Sequence, residues 1–333
     1  MRILILGGTA FLSAEIARQA VAAGHDVTSL ARGSAAEPPD GVRWLKADRT
    51  RGADSYADAS GDWDAVIEVA RDAGLAREAL ASLAEGAAHW TFVSSCSVYA
   101  DHSTPQAKED AGLLPPLPPG TASTPENYGE SKSAIEQATL EAAAGRAHLC
   151  RAGLIGGPGD PTDRYGYWPA RFARDNDPVL APDIAGQATQ VIDVRDVAAW
   201  ILESAAGGLT GALNAVGEQV PFGEYLAVSR SIAGYQGEVL TASEGWLSDH
   251  GVDYWSGPDS LPLWLPPEHE GFSRRSNAAA KEAGLVLRPW QETLSDTLDD
   301  ERSRGLGRRR KAGLAPATEA RLAKELQARQ QRQ

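Results

Sequence analysis

Cysteine is scarce in this 333-residue chain: only Cys96 and Cys150 are present. Two thiols make no disulfide framework, and these two stand at no metal-ligand spacing. The six histidines are scattered, with no pair spaced for one helical face, so a metal centre is not expected. Long hydrophobic runs are also missing. None reaches the roughly 18 residues that a membrane span requires. Met1 leads directly into an apolar strand and leaves no room for a signal peptide, so the expected location is cytoplasmic. Positive charge is short as well. A formal net charge of −13 argues against a nucleic-acid-binding surface over most of the molecule. The exception is the C-terminus, with Arg302, Arg304 and the run Arg308-Arg309-Arg310-Lys311. A solvated helical tail explains that cluster better than an RNA contact, because aromatics to stack bases are too few there. Neither nucleic acid nor membrane is therefore expected as a partner.

The length suits two fused lobes. The first of them is organised around residues 1–24. Arg2-Ile3-Leu4-Ile5-Leu6 is a short apolar run of the kind found in a parallel strand covered on both faces. Gly7-Gly8-Thr9 ends it, and Ala14 to Ala23 reads as a helix. A glycine turn between strand and helix lets a phosphate approach the backbone, where the helix N-terminus offers N–H groups and a partial positive charge. Dinucleotide binding is the expectation.

Further strands are expected near Val27–Ala31, Val42–Lys46, Ala65–Val69 and Trp90–Val93, with helical residues from Ala76 to Ala84. The second strand ends Leu30-Ala31-Arg32-Gly33, without the carboxylate that grips the ribose 2′-hydroxyl of NAD. A guanidinium there suits a 2′-phosphate, so NADP(H) is favoured and NAD(H) is the alternative. The plain alternative for Arg32 is a solvated loop residue. Asp48, after the third strand, is placed to face the adenine.

The fifth strand runs into Ser94-Ser95-Cys96-Ser97-Val98-Tyr99, and strand C-termini are where open α/β sheets carry their chemistry. A proline-rich loop, Leu114 to Pro125, follows and is expected over the mouth of the site. Then comes Tyr128-Gly129-Glu130-Ser131-Lys132, continuing as a helix through Ser133 to Ala144. Residues i and i+4 share a helical face, so Tyr128 and Lys132 point the same way. An ammonium beside a phenol stabilises the phenolate and lowers its pKa from about 10. A nearby serine hydroxyl can then hold a substrate oxygen while the tyrosine moves its proton.

These stretches resemble the extended short-chain dehydrogenase/reductases of the NAD(P)-dependent epimerase/dehydratase family, in a branch with an altered glycine fingerprint. Two later stretches agree: Arg151-Ala152-Gly153-Leu154-Ile155-Gly156-Gly157-Pro158 and Val191-Ile192-Asp193-Val194-Arg195-Asp196-Val197-Ala198. The resemblance covers residues 1–215 and implies Ser95, Tyr128 and Lys132 as the catalytic set. It implies cofactor contacts at Gly7, Thr9, Ala10, Phe11, Leu12, Arg32, Asp48, Ala70, Tyr128, Lys132, Gly153 and Ile155. Substrate contacts would fall on Cys96, Ser97, Arg164, Tyr167 and Trp168. The chain departs from the pattern twice. Ala10 and Ser13 stand where the fingerprint has its second and third glycines, and Cys96 stands where sugar-nucleotide dehydratases carry an acid. The second departure disfavours dehydration, and a buried Cys96 is expected rather than a nucleophile.

The implied fold class is α/β: a Rossmann doubly wound parallel sheet with a smaller, mixed α/β C-terminal substrate lobe. Residues 1–158 plus about 188–217 are expected in the cofactor domain, about 159–187 plus 218–304 in the substrate lobe, and 305–333 in a basic helical tail. Val191 to Ser204 reads as a strand and helix returning to the first domain. The second lobe carries Trp246, Tyr254, Trp255, Trp264 and Trp290, which either line an apolar pocket or fill the lobe's core, the second being favoured. The function expected is an NADP(H)-dependent oxidoreductase acting on a carbonyl or secondary alcohol of a small molecule. The alternatives are an NAD(P)-dependent epimerase and a non-catalytic NAD(P)-binding regulator. A monomer and a homodimer both fit the sequence.

Overall fold

The computed structural model describes residues 1–34 and 36–331. The strands are β1 (Arg2–Leu6), β2 (Asp26–Ala31), β3 (Arg43–Lys46), β4 (Ala65–Glu68), β5 (Trp90–Ser95), β6 (Ala147–Ala152), β7 (Leu154–Gly156), β8 (Val179–Pro182), β9 (Ala188–Asp193), β10 (Gly211–Ala215), β11 (Gln219–Pro221) and β12 (Val239–Ala242). The principal helices are α1 (Phe11–Ala22), α2 (Ala73–Leu83), α3 (Tyr128–Ala142), α4 (Tyr167–Arg174), α5 (Val194–Gly207), α6 (Phe222–Ala233), α7 (Glu244–Asp249), α8 (Ala278–Glu282), α9 (Trp290–Arg304) and α10 (Pro316–Gln330).

The chain divides into two compact units. The first holds Met1–Gly153, Val194–Val216 and Arg275–Val286. Its seven-stranded sheet has the order β10-β6-β5-β4-β1-β2-β3, and every pairing is parallel. The order reverses between β1 and β4, which is where a doubly wound sheet leaves a crevice at its strand C-termini. The apolar runs explain the sheet. Ile3, Leu4, Ile5, Ala65, Val66 and Ile67 are fully buried, as strands covered by helices on both faces require. Helix α1 packs against α5 on one face, and α2 packs against α3.

The second unit holds Leu154–Asp193, Gly217–Arg274 and Leu287–Gln333. It contains a three-stranded sheet, β11-β9-β7, and the parallel pair β8 and β12. Its core includes Trp168, Phe222, Trp264, Leu294 and Leu322. Of the aromatics noted in the sequence, Trp246 and Trp264 are buried there, and Tyr254, Trp255 and Trp290 pack against the same cluster.

The structure differs from the sequence reading in four places. Residues 188–193 do not rejoin the large sheet: β9 pairs parallel with β7 and antiparallel with β11, inside the second unit. Residues 154–158 fall in the second unit rather than the cofactor domain, whereas β10 does join the large sheet at one edge, pairing with β6 from Gly211–His148 to Ala215–Ala152. Residues 275–286 return to the first unit, where Asn277 donates to the Val216 carbonyl at 3.1 Å and Ser276 N–H to that of Ala107 at 3.2 Å. The C-terminal segment is not a tail. Helix α10 buries Glu319, Leu322, Ala323 and Leu326, while Arg308 and Arg310 pair with Asp163 and Glu301. Residues 332–333 of that expected tail lie outside the described residues. No helix among the described residues is long and apolar enough to cross a membrane.

Candidate active site

The glycine turn comes first in the chain and sets one wall of the site. Gly7 and Gly8 have φ of 132° and 91°, backbone that disfavours any side chain. A Cβ on Gly8 would lie 2.0 Å from the Ser29 hydroxyl. The turn feeds α1, whose N-cap, Ala10, supplies no side-chain hydrogen bond. An uncapped helix start behind two bare glycines fits a pyrophosphate, which would hydrogen-bond the N–H groups that a cap otherwise takes. Ser13 is buried and turns its hydroxyl back onto the Ala10 carbonyl at 2.8 Å, so its extra polar group is satisfied locally. Thr9 is half-buried, Ala10 exposed, Phe11 half-buried and Leu12 buried; Phe11 takes a φ of 35° at the helix start.

At the end of β2, Ala31 is buried and Arg32 is exposed. Asp48 caps the following 3-10 turn by accepting from the Thr50 N–H at 3.1 Å and the Thr50 hydroxyl at 2.9 Å. Those two bonds hold its carboxyl below the usual range, with the charges of Arg32 and Arg51 adding to the effect.

The second wall is built by β4, β5 and α3. Ser95 closes β5 and caps the short turn Cys96–Val98; its hydroxyl accepts from the Ser97 N–H and donates to the Ser97 hydroxyl, both at 3.1 Å. Both Ser95 and Ser97 are half-buried. This turn lies directly on the start of α3. At Gly129 a Cβ would come 2.4 Å from the Ser97 carbonyl oxygen, so only glycine lets Tyr128 sit beside the serine turn. Lys132, one helical turn on, is buried. Its Nζ donates to the carbonyls of Ala70 and Val93, each at 2.7 Å, and lies 4.5 Å from the Phe92 ring centre and 5.8 Å from that of Tyr128. Burial pushes the ammonium down to about 7, against the opposing pull of Glu68 and Glu136.

Beneath the serine turn runs a buried polar network. The Ser94 hydroxyl donates to Glu136 Oε1 at 2.6 Å, and Arg151 forks onto Glu136, with Nη2 at 2.8 Å from Oε2. Arg151 also donates to the Tyr99 hydroxyl at 3.1 Å, and that hydroxyl donates to Asn214 at 2.6 Å. Arg275 stacks on the Tyr99 ring at 3.9 Å. The proline-rich loop is pinned along α2 and α3. Leu117 N–H donates to the Glu130 carbonyl, and the Ser123 hydroxyl sits between the Ser131 hydroxyl and the Ala73 N–H.

The structure thus brings together Ser95, Ser97, Tyr128, Lys132 and Ala70 in the first unit. Gly153 also lies there, its N–H on the Ala215 carbonyl at 3.1 Å. Ile155, Arg164, Tyr167 and Trp168 belong to the second unit. Three expected substrate contacts are corrected. Cys96 is fully buried, donates to the Arg151 carbonyl at 3.4 Å, and is pushed by burial to about 12, so it offers neither a surface nor a thiolate. Trp168 is fully buried, its indole N–H on the Pro262 carbonyl at 2.8 Å, and Tyr167 is buried beside it. Both are core residues. Arg164 stacks on Trp255 at 5.0 Å. Sequence reasoning missed Arg49, Glu68, Glu136 and Arg275, because a charge inside an apolar pattern gives no periodic signal of its partner.

A model of the NAD dependent epimerase/dehydratase family matches residues 3–211, well over half of the chain. The chain belongs to that family and is an NAD(P)-dependent enzyme of the short-chain dehydrogenase type. No curated protein sequence matches it. Solved structures with the same fold include a Burkholderia cenocepacia J2315 protein whose epimerase activity is a provisional assignment, 22% identical with a TM-score of 0.70 over 91% of this chain and 98% of that one. The UDP-glucose 4-epimerase of Thermus thermophilus, solved with NAD, is 19% identical with a TM-score of 0.65 over 91% and 99%. The UDP-glucuronic acid 4-epimerase of Bacillus cereus, also solved with NAD, is 13% identical with a TM-score of 0.65 over 91% and 99%.

Proposed function

We propose that this chain is an NADP(H)-dependent oxidoreductase acting on a carbonyl or secondary alcohol of a small molecule. The observation that carries the reading is Lys132, buried on two backbone carbonyls with its Nζ 5.8 Å from the Tyr128 ring. Ser95 holds the substrate oxygen, Tyr128 gives or takes its proton, and the ammonium of Lys132 favours the phenolate. When bound, the nicotinamide supplies or accepts the hydride. Gly7, Gly8 and the start of α1 hold the pyrophosphate. The exposed Arg32, with no carboxylate on Ala31, supports a 2′-phosphate and hence NADP(H).

Epimerisation is the second reading, favoured by the UDP-sugar epimerases that share the fold. It uses the same three residues, with Tyr128 removing a proton from one substrate oxygen and returning it. Cys96, neutral and buried, does not supply the acid a dehydration needs. Tyr128→Phe tests both readings. Turnover is expected to fall about 10²–10⁴-fold, the usual worth of a positioned acid–base group, with cofactor affinity unchanged. Wild-type turnover in that variant would end the reading.

A further inference from the structure

The segment after β4 is held from two sides. Glu68, the last residue of β4, is buried among apolar neighbours. Its carboxylate receives Arg49 in a two-pronged ion pair, with Nη1 at 2.9 Å from Oε1, and accepts the Ala70 N–H at 2.8 Å. Arg49 is itself fixed, donating Nε to the Tyr56 hydroxyl at 2.9 Å and Nη2 to the Leu75 carbonyl at 3.0 Å. The carbonyl of Ala70 then accepts from Lys132 Nζ at 2.7 Å, and the next carbonyl, of Arg71, accepts from the Ser131 hydroxyl at 2.8 Å. Ala70 is therefore gripped at its N–H by Glu68 and at its carbonyl by Lys132. Stability alone does not account for the ion pair, since a well-packed apolar pair of similar volume does as well or better in a core.

We infer that the buried Arg49–Glu68 pair is a positioning device for Lys132: it fixes the Ala70 residue whose carbonyl anchors the lysine, and so sets where the ammonium sits beside Tyr128. The inference rests on the proposed pairing of Lys132 with Tyr128. The ionisable groups facing Lys132 are Glu68 on β4, Arg71 after it, Glu136 and Tyr128 on α3, and Cys150 on β6. Glu68 and Glu136 favour the ammonium, while burial and Arg71 oppose it. Glu68 thereby acts twice, by holding a peptide and by lending charge. Glu68→Gln separates the two actions, because the amide oxygen still accepts from the Ala70 N–H while the charge is gone.

The chain has six lysines, so ε-¹³C-lysine labelling of the full-length protein resolves each by NMR, with Lys132→Met identifying the signal of interest. In the wild type that signal is expected to titrate near pH 7. Glu68→Gln should lower the midpoint by about half a unit or more and leave the other five unmoved. The double variant Arg49→Met/Glu68→Leu, an apolar exchange that leaves the net charge unchanged, removes the grip on the Ala70 N–H and tests the positioning itself, with Arg49→Met/Glu68→Met in its place if it fails to fold. It should shift the midpoint likewise and weaken NADPH binding, read by tryptophan fluorescence. A Lys132 midpoint within about 0.2 units of wild type in the folded double variant overturns the inference, because Glu68→Gln keeps the grip on Ala70 and reports the charge alone. If the wild-type chain bound neither NADPH nor NADH, the cofactor reading would fail, and the lysine titration, made without cofactor, would still decide the positioning claim.

Discussion

Each unit buries a cluster of arginines and carboxylates, and the two clusters do different work. In the second unit, Arg171 binds Glu319 and Asp175, while Arg308 and Arg310 converge on Asp163 and Glu301. The pairs Arg171–Glu319 and Arg308–Asp163 tie the C-terminal segment to the 160s and 170s, and the result is attachment. In the first unit, Arg49 and Glu68 pass through the Ala70 residue to Lys132, a lysine that burial brings into the neutral pH range. Similar pairs therefore serve as a rivet in one place and as a support for chemistry in the other. What separates them is the last member of the chain of contacts, which is a buried salt bridge in one case and the titratable Lys132 of α3 in the other.

The largest loss of stability is expected at the rivet. Glu319→Ala leaves the buried Arg171 guanidinium without its main counter-charge, a change that costs about 3–5 kcal/mol. A large fall in Tm is expected from thermal unfolding, with NADPH affinity of the folded protein unaltered. Next in size is Gly129→Ala. The new methyl meets the Ser97 carbonyl and should cost about 1–3 kcal/mol. Here cofactor binding or turnover should suffer with stability, because the clash moves Tyr128 against the serine turn. A normal Tm for either variant would contradict the packing described.

Lys132 sharpens the contrast through pH. Its folded-state pKa of about 7 lies below the unfolded value. Between those values the unfolded chain holds a proton that the native protein has released, so stability rises with pH across this window. The slope is up to about 1.4 kcal/mol per pH unit and should vanish in Lys132→Met. Urea unfolding of both proteins at about pH 7, 8 and 9, within that window, measures it; parallel profiles would mean that Lys132 stays charged in the fold. An effect of the same order is expected at His148, fully buried against Trp200 and depressed by burial to about 3. The native state resists protonating it, so stability is lost as pH falls below the usual histidine range, and His148→Leu should flatten that loss.

Much of the first unit was legible in the sequence, because the apolar runs at 2–6, 27–31, 65–69 and 90–93 and the Tyr128–Lys132 spacing report local geometry directly. The strand at 188–193 was legible as a strand, but its sheet was not. Alternation and β-branching fix the local conformation, whereas the partner depends on Leu154 and Gln219, neither adjacent in sequence. The basic run at 308–311 read as a solvated face because its acidic partners, Asp163 and Glu301, lie elsewhere in the chain. Glu68 was hidden for the same reason: its meaning resides in Arg49 and in Lys132, which it reaches through the Ala70 peptide.

A titration of the purified protein with NADPH and NADH, followed by intrinsic tryptophan fluorescence, tests the proposed cofactor site directly. Saturable binding is expected, tighter for NADPH, with the preference for NADPH lost in Arg32→Ala. Preference for NADH would contradict the role given to Arg32, and binding of neither would contradict the glycine cradle on which the proposed chemistry stands.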